Sequence, residues 1–200
     1  MFHRIIKPLK SNSFFIFGAR GTGKSTFLQM FFKDGRILWF DLLDPKTEDL
    51  FLRNPAVLAE QAKAQIGSID WIIIDEIQKQ PKLLDVVHSL IESTPIKFSM
   101  TGSSARKLKK GGANLLAGRA FVNHLFSLTH VELGDSFDLG ETLHWGTLPK
   151  IFHLKTEEEK HDYLTSYAQT YLKEEIWAEH IIRKLDPFRR FLEIAAQANG

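Results

Sequence analysis

The sequence predicts an α/β fold: a three-layer sandwich with a mainly parallel five-stranded sheet, followed by a helical C-terminal segment. Three observations predict it. Short apolar runs alternate with segments of helical periodicity, which implies right-handed crossovers and parallel strands. The first run leads through a glycine-rich turn into a helix. After Phe126 the alternation ends and helix signals alone continue.

Taken in order, Phe14-Phe15-Ile16-Phe17 reads as a buried strand, and Phe27, Leu28 and Phe31 recur at helical spacing over Lys24 to Lys33. Asp34-Gly35 should stop that helix, with Gly35 left-handed just past its end. Ile37 to Phe40 is a second strand, ending at Asp41. Asn54-Pro55 reads as an N-cap with proline at the first helical position, opening a helix that runs to Gly67. Ile69 to Ile74 is apolar almost throughout, as a strand buried on both faces requires. Pro81 opens a helix carrying Leu83, Leu84, Val87, Leu90 and Ile91 on one side and closed by Ser93-Thr94-Pro95. Lys97 to Thr101 and Ala120 to Leu125 complete the strands. Thr156 and Glu159 form a capping box, with Glu157 and Glu158 adding negative charge in the first turn. Leu164, Tyr167, Ala168, Tyr171 and Leu172 then line a helical face to about Glu179, and a last helix begins near Pro187. The expected division is a core at 1–128 and a helical segment at 129–200, its apolar face reaching the end without a stop signal.

The turn after the first strand reads Gly18-Ala19-Arg20-Gly21-Thr22-Gly23-Lys24-Ser25, followed by Thr26, and satisfies G-x-x-x-x-G-K-[ST] at every fixed position. A strand, a glycine-rich turn and a helix opening at the lysine aim successive backbone N–H groups and a helix N-terminus at phosphate oxygens. The pattern names a ligand class, a nucleoside triphosphate with Mg²⁺. The amides of about residues 20 to 25 cradle the β-phosphate, Lys24 reaches the β- and γ-phosphates, and the Ser25 hydroxyl ligates the cation. Gly18, Gly21 and Gly23 permit positive φ and close backbone approach.

Composition narrows the classes. The 200-residue chain is 44% hydrophobic and 25% charged, which suits a globular protein able to fill a core. It has no cysteine, which removes disulfides and thiolate metal sites. No apolar stretch approaches the roughly 20 residues of a bilayer span, and charge interrupts the N-terminal apolar segment where a signal peptide would be continuous. The expectation is a cytoplasmic protein. A net charge of +2 gives no argument for nucleic acid.

Three further segments carry chemistry. Asp75 and Glu76 follow the apolar run Trp71 to Ile74, at the carboxyl edge of the sheet where open α/β folds bind ligands. There Asp75 holds Mg²⁺ through its water shell and Glu76 polarises the attacking water. Thr101 and Ser103, in Thr101-Gly102-Ser103-Ser104, are candidate γ-phosphate sensors, although a Ser/Gly turn leaving a strand accounts for them equally well. Arg119 precedes the last strand, where it is a candidate arginine finger for a neighbouring subunit, although salt-bridged arginine is the commoner fate. The run Arg106, Lys107, Lys109, Lys110 beside Gly111-Gly112 reads as a solvated loop rather than a nucleic-acid contact. The histidines show no ligand spacing, so no metal beyond Mg²⁺ is expected.

These segments together resemble the AAA+-like ATPases of the AAA_14 group that carry a DUF4143 C-terminal domain, in bacteria and archaea. The matching stretches are Gly18 to Thr26, Asp41 to Pro45, Ile73-Ile74-Asp75-Glu76-Ile77-Gln78, Thr101 to Ser104, Leu116-Ala117-Gly118-Arg119 and Tyr171-Leu172-Lys173-Glu174-Glu175-Ile176. The chain departs from the group's Gly-Gly-Leu-Pro at Gly146-Thr147-Leu148-Pro149. Group members continue well past this length, and Phe191 to Gly200 resembles the start of their C-terminal domain. The resemblance strengthens Arg119 as finger or sensor. It also implies a P-loop NTPase fold, a homo-oligomer, and a protein or DNA client reached through a C-terminal domain missing here. The leading expectation is Mg²⁺-dependent ATP hydrolysis coupled to conformational change. Two alternatives stand beside it: a small-molecule kinase with Asp41 on the acceptor hydroxyl, and a weakly hydrolysing ATP-gated switch for a partner domain. A GTPase is disfavoured, since no Asn-Lys-x-Asp segment is present.

Overall fold

The computed structural model describes residues 2–103, 105, 108, 116–171 and 185–198. Five strands, β1 (Ser13–Phe17), β2 (Ile37–Asp41), β3 (Trp71–Asp75), β4 (Lys97–Gly102) and β5 (Ala120–His124), form one sheet in the order β2-β3-β4-β1-β5. Every neighbouring pair is parallel, with Phe17 opposite Gly102 on one side and His124 on the other. β1 and β3 are buried at all five positions, as strands covered on both faces must be. β5 is an edge, and Phe121 and Val122 on it are exposed.

Alternate strand residues serve opposite faces. Phe14, Ile16, Trp71 and Ile73 pack with Phe27, Leu28 and Phe32 of and beyond α1 (Lys24–Phe31). Phe15, Phe17, Ile72 and Ile74 pack with α2 (Pro45–Arg53), α3 (Val57–Ala64) and α4 (Leu83–Ser93) through Phe51, Leu58, Leu84 and Val87. The expected three layers result. The aromatic content of the first face is high because Phe14 meets Phe31 edge-on at 5.9 Å and Trp71 at 5.4 Å.

Local expectations needed three corrections. Asp44 makes a further proline-reinforced helix start: its carboxylate accepts from the amides of Lys46 and Thr47, and Pro45 follows it as the first helical residue. Asn54 ends α2 and also caps the turn into the next helix, its side chain accepting from Ala56 N and its carbonyl from Val57 N, but α3 itself runs only from Val57 to Ala64. Gly35 is not left-handed. Phe32 ends α1 at φ −111°, and the amide of Gly35 donates back to Phe32 O at 2.9 Å. Glycine serves there for clearance, since a Cβ would lie 3.2 Å from that same carbonyl.

The described chain forms two compact units, Met1–Pro149 and Lys150–Gly200. The first takes in α5 (His130–Leu133) and α6 (Leu139–Trp145), which lie beyond residue 128. The second holds α7 (Glu157–Tyr171) and α8 (Leu185–Ala198). Its capping box is present: Glu159 N donates to Thr156 Oγ1 at 3.1 Å, and Thr156 N to Glu159 Oε2 at 3.1 Å. Leu164, Tyr167 and Tyr171 are half-buried and Ala168 is exposed. Leu172 to Glu179 lie outside the described residues. No helix among the described residues is long and apolar enough to cross a membrane.

The Asp44 cap carries a pH dependence. Its carboxyl is held below the ordinary value, first by the Thr47 hydroxyl and then by the Thr47 amide. A depressed folded-state pKa contributes stability that is full above about pH 4 and drains away as pH falls through the depressed value. Asp44→Asn still caps but carries no charge, so its urea stability should fall less than wild type's between about pH 5 and 3.

Candidate nucleotide-phosphate site

The loop leaves the carboxyl end of β1 between β4 and β5, where the strand order reverses. Three strand ends meet at its root: Gly18 N donates to Gly102 O at 3.2 Å and Leu125 N to Phe17 O at 2.7 Å. A Cβ on Gly18 would sit 2.1 Å from Leu125 O, so this glycine is required by close approach, without positive φ. Gly21 and Gly23, at φ 78° and 88°, do adopt the left-handed turn that bends the loop into α1. Thr22 is buried, with its hydroxyl donating to Ala19 O at 2.9 Å, so it braces the loop from within.

Lys24 opens α1 and its side chain is buried, folded back over the loop. Its ammonium donates to Gly18 O at 2.9 Å and Ala19 O at 3.3 Å, and lies 3.7 Å from Glu76 Oε1. Ser25 is half-buried beside it; Thr26 is exposed, as is Arg20, and Ala19 is half-buried.

β3 delivers the acidic pair to the same edge. Asp75 is buried and accepts a short hydrogen bond from the Thr101 hydroxyl. That hydroxyl in turn accepts from Glu76 N at 3.0 Å. Glu76 sits at φ 61°, ψ 47°, a left-handed conformation costing a non-glycine residue on the order of 1 kcal/mol. The strained turn swings its carboxylate toward Lys24. Of the two candidate sensors, Thr101 is therefore fully engaged between β3 and β4, whereas Ser103 Oγ is buried and has no partner among the described residues. Asp41 accepts from Leu43 N at 2.8 Å, closing its own turn.

Arg119 lies elsewhere. It precedes Ala120, which pairs with Ser13 at the start of β1, so it stands at the opposite edge of the sheet from the loop. At ~3.3 Å per strand residue that is on the order of 15 Å away. Its guanidinium forms a short ion pair with Glu92 of α4, which holds the Glu92 carboxyl below its ordinary range. Ser104, the basic residues Arg106, Lys107, Lys109 and Lys110, and Leu115 fall outside the described residues.

A family model for an AAA domain, AAA_14, matches residues 10–134. The chain belongs to this family. It is thereby a member of a family of AAA-type P-loop ATPase domains. It is similar to an uncharacterised protein of Methanocaldococcus jannaschii, MJ1637, at 29% identity over 142 residues, covering 64% of this chain and 29% of that protein. The chain thus spans under a third of that relative's length. Among solved structures it is similar to the Walker-type ATPase Paby2304 of Pyrococcus abyssi (16% identity, TM-score 0.42, 76% of this chain and 57% of that one). It is also similar to Drosophila ORC bound to DNA (16% identity, TM-score 0.43, 80% of this chain and 51% of that one).

The AAA domain holds its phosphate loop from behind with residues the motif does not include. Arg4 donates to Glu132 Oε1 at 3.0 Å, to the carbonyl of Thr22 in the loop at 3.1 Å, and to Phe126 O through a short bond. Glu132 Oε1 also accepts from Ile5 N at 2.9 Å, and its other oxygen from Thr129 N at 3.0 Å, in a capping box that starts α5. Pro149 Cγ stands 3.9 Å from where a Gly23 Cβ would be. The Thr129-x-x-Glu132 pattern was a readable helix start. The arginine 128 residues away that reaches that glutamate had no sequence signal.

Burial lowers the Arg4 pKa below its ordinary value, opposed by Glu132. Both side chains are nearly sequestered, at 8% and 5% exposure. Arg4→Met leaves Glu132 without its counter-charge and should cost on the order of 3 kcal/mol in urea unfolding. Arg4→Met/Glu132→Gln, which removes the stranded charge, should recover part of that loss.

Proposed function

We propose that the protein binds ATP with Mg²⁺ and hydrolyses it, with the energy spent on conformational change. The observation that carries this reading is the Glu76 carboxylate held 3.7 Å from the Lys24 ammonium at the mouth of the phosphate loop. A carboxylate beside the cation that grips the γ-phosphate is placed to take a proton from water attacking that phosphate.

The residues suit a magnesium ion. Ser25 and Asp75 offer a hydroxyl and a carboxylate, the hard oxygen donors Mg²⁺ prefers. Asp75 is buried at the site and accepts from the Thr101 hydroxyl, and a carboxylate has further lone pairs to offer a cation or its water shell. Bound there, the ion would neutralise charge on the β- and γ-phosphates.

Each side chain then has a task. Lys24 exchanges the carbonyls of Gly18 and Ala19 for phosphate oxygens. The amides of residues 20 to 25 and the start of α1 take the β-phosphate. The unpartnered hydroxyl of Ser103 donates to the γ-phosphate, and Thr101 holds Asp75 and Glu76 in place. Arg119, too far to serve its own loop, completes the site of a second copy of the chain once Glu92 releases it. In this reading the ATPase core is the unit Met1–Pro149, which takes in the α5 brace rather than stopping at 128, and the client, protein or DNA, is engaged in the cytoplasm through a C-terminal domain.

Purified protein should release phosphate from Mg²⁺-ATP and stop when the metal is chelated. Glu76→Gln should bind ATP yet turn over about 10²- to 10⁴-fold more slowly, and unchanged turnover would overturn the assignment. The role of Arg119 has its own check by mixing. Arg119→Ala and Glu76→Gln should each be nearly inactive alone and recover activity when combined, because each supplies the group the other lacks. A strict monomer with full activity rules that role out.

A further inference from the structure

Gln78 follows Glu76 by two residues in the one-turn 3-10 segment Ile77–Lys79, and the structure shows its amide engaged at one end only. Gln78 Nε2 donates a short hydrogen bond to Glu76 Oε2, the carboxylate oxygen opposite the one that faces Lys24. A carboxylate can only accept, so the amide nitrogen must face Glu76 and the amide oxygen must face away. That oxygen is buried and meets no donor among the described residues. Its seat is the space left open by Gly102, where a Cβ would come within 2.8 Å of it.

A buried acceptor without a donor destabilises a fold, and an apolar side chain of the same length would fill this space without that cost. The bond to the Glu76 carboxylate is what stands against that cost. What the amide does is hold one oxygen of a carboxylate whose backbone is already in a strained left-handed turn. With Oε2 fixed, Oε1 is aimed at the Lys24 ammonium and the mouth of the loop.

We propose that Gln78 is the positioning residue for Glu76: its amide clamps the carboxylate in the orientation from which it accepts the proton of the attacking water. The inference rests on the reading of Glu76 as the water-activating group. In this role Gln78 acts through Glu76, the group its amide nitrogen meets. Gly102 belongs to the same device, because it leaves the seat in which the far end of the amide is lodged.

The test compares wild type, Gln78→Met, Gln78→Glu, Glu76→Gln and the double variant Glu76→Gln/Gln78→Met. Three quantities are measured: single-turnover hydrolysis of Mg²⁺-ATP, ATP affinity by calorimetry, and melting temperature. Gln78→Met should lower the hydrolysis rate about 10- to 100-fold, the scale of a misplaced reacting group, with ATP affinity unchanged and melting temperature unchanged or raised. Gln78→Glu, which sets a second carboxylate against the first, should lose at least as much rate. In the double variant the methionine should add nothing to the loss caused by Glu76→Gln, since a residue acting through another has no effect once that other is gone. Wild-type rate in Gln78→Met beside an inactive Glu76→Gln overturns the clamp and leaves the ATPase reading standing. So does a rate loss that adds in full to that of Glu76→Gln, or one accompanied by a fall in melting temperature. Wild-type turnover in Glu76→Gln overturns the reading itself, and the clamp with it.

Discussion

The hydroxyl of Thr101 joins the two strands on which the site depends. It donates to the carboxylate of Asp75 and accepts from the amide of Glu76, so one buried oxygen fixes both acidic residues relative to β4. β4 in turn lies between β3 and β1, and Gly102 at its end receives the amide of Gly18 at the root of the phosphate loop. A short chain of contacts thus runs from the acidic pair to the loop through Thr101 and Gly102, both buried. Buried hydrogen bonds of this kind tolerate little displacement, because a donor or acceptor that loses its partner in the interior has no water to replace it.

Around that chain the sheet supplies rigidity and the loop supplies adaptability. The apolar faces of β1 and β3 are filled from both sides, and large aromatic rings tie α1 to the sheet. The loop is braced internally by Thr22, and from behind by Arg4 and the capping box of α5. Arg4 touches a loop carbonyl, the chain after β5 and α5 at once, so movement of the loop must be felt by residues 126–132. Lys24 is held by two loop carbonyls and a carboxylate, so its ammonium is kept at the mouth of the loop.

Much of this was legible in the chain. The phosphate loop, its strand and its helix are contiguous, and their geometry follows from where glycine, lysine and apolar residues fall over about twenty positions. The apolar run ending in Asp75-Glu76 was equally local. Helix boundaries were harder: Asp44-Pro45 and Asn54-Pro55 both fit a helix start and both lead into one, with α2 beginning at Pro45 and α3 only at Val57. The left-handed turn of Glu76, the half-used amide of Gln78 and the engaged hydroxyl of Thr101 had no sequence signature, because each depends on which strand lies beside which.

The residue pattern alone therefore established the layer architecture, and it located the phosphate loop and the acidic pair, since those rest on periodicity and on spacing along one segment. The three-dimensional arrangement decided which hydroxyl is spent and which is free, which glutamine faces which carboxylate, and that Arg119 stands at the far edge of the sheet from its own loop. The engagement of Thr101 and the place of Arg119 turn on contacts between segments distant in the chain, Asp75 with Thr101 and Ser13 with Ala120, whose meeting is set by strand order and register rather than by local sequence.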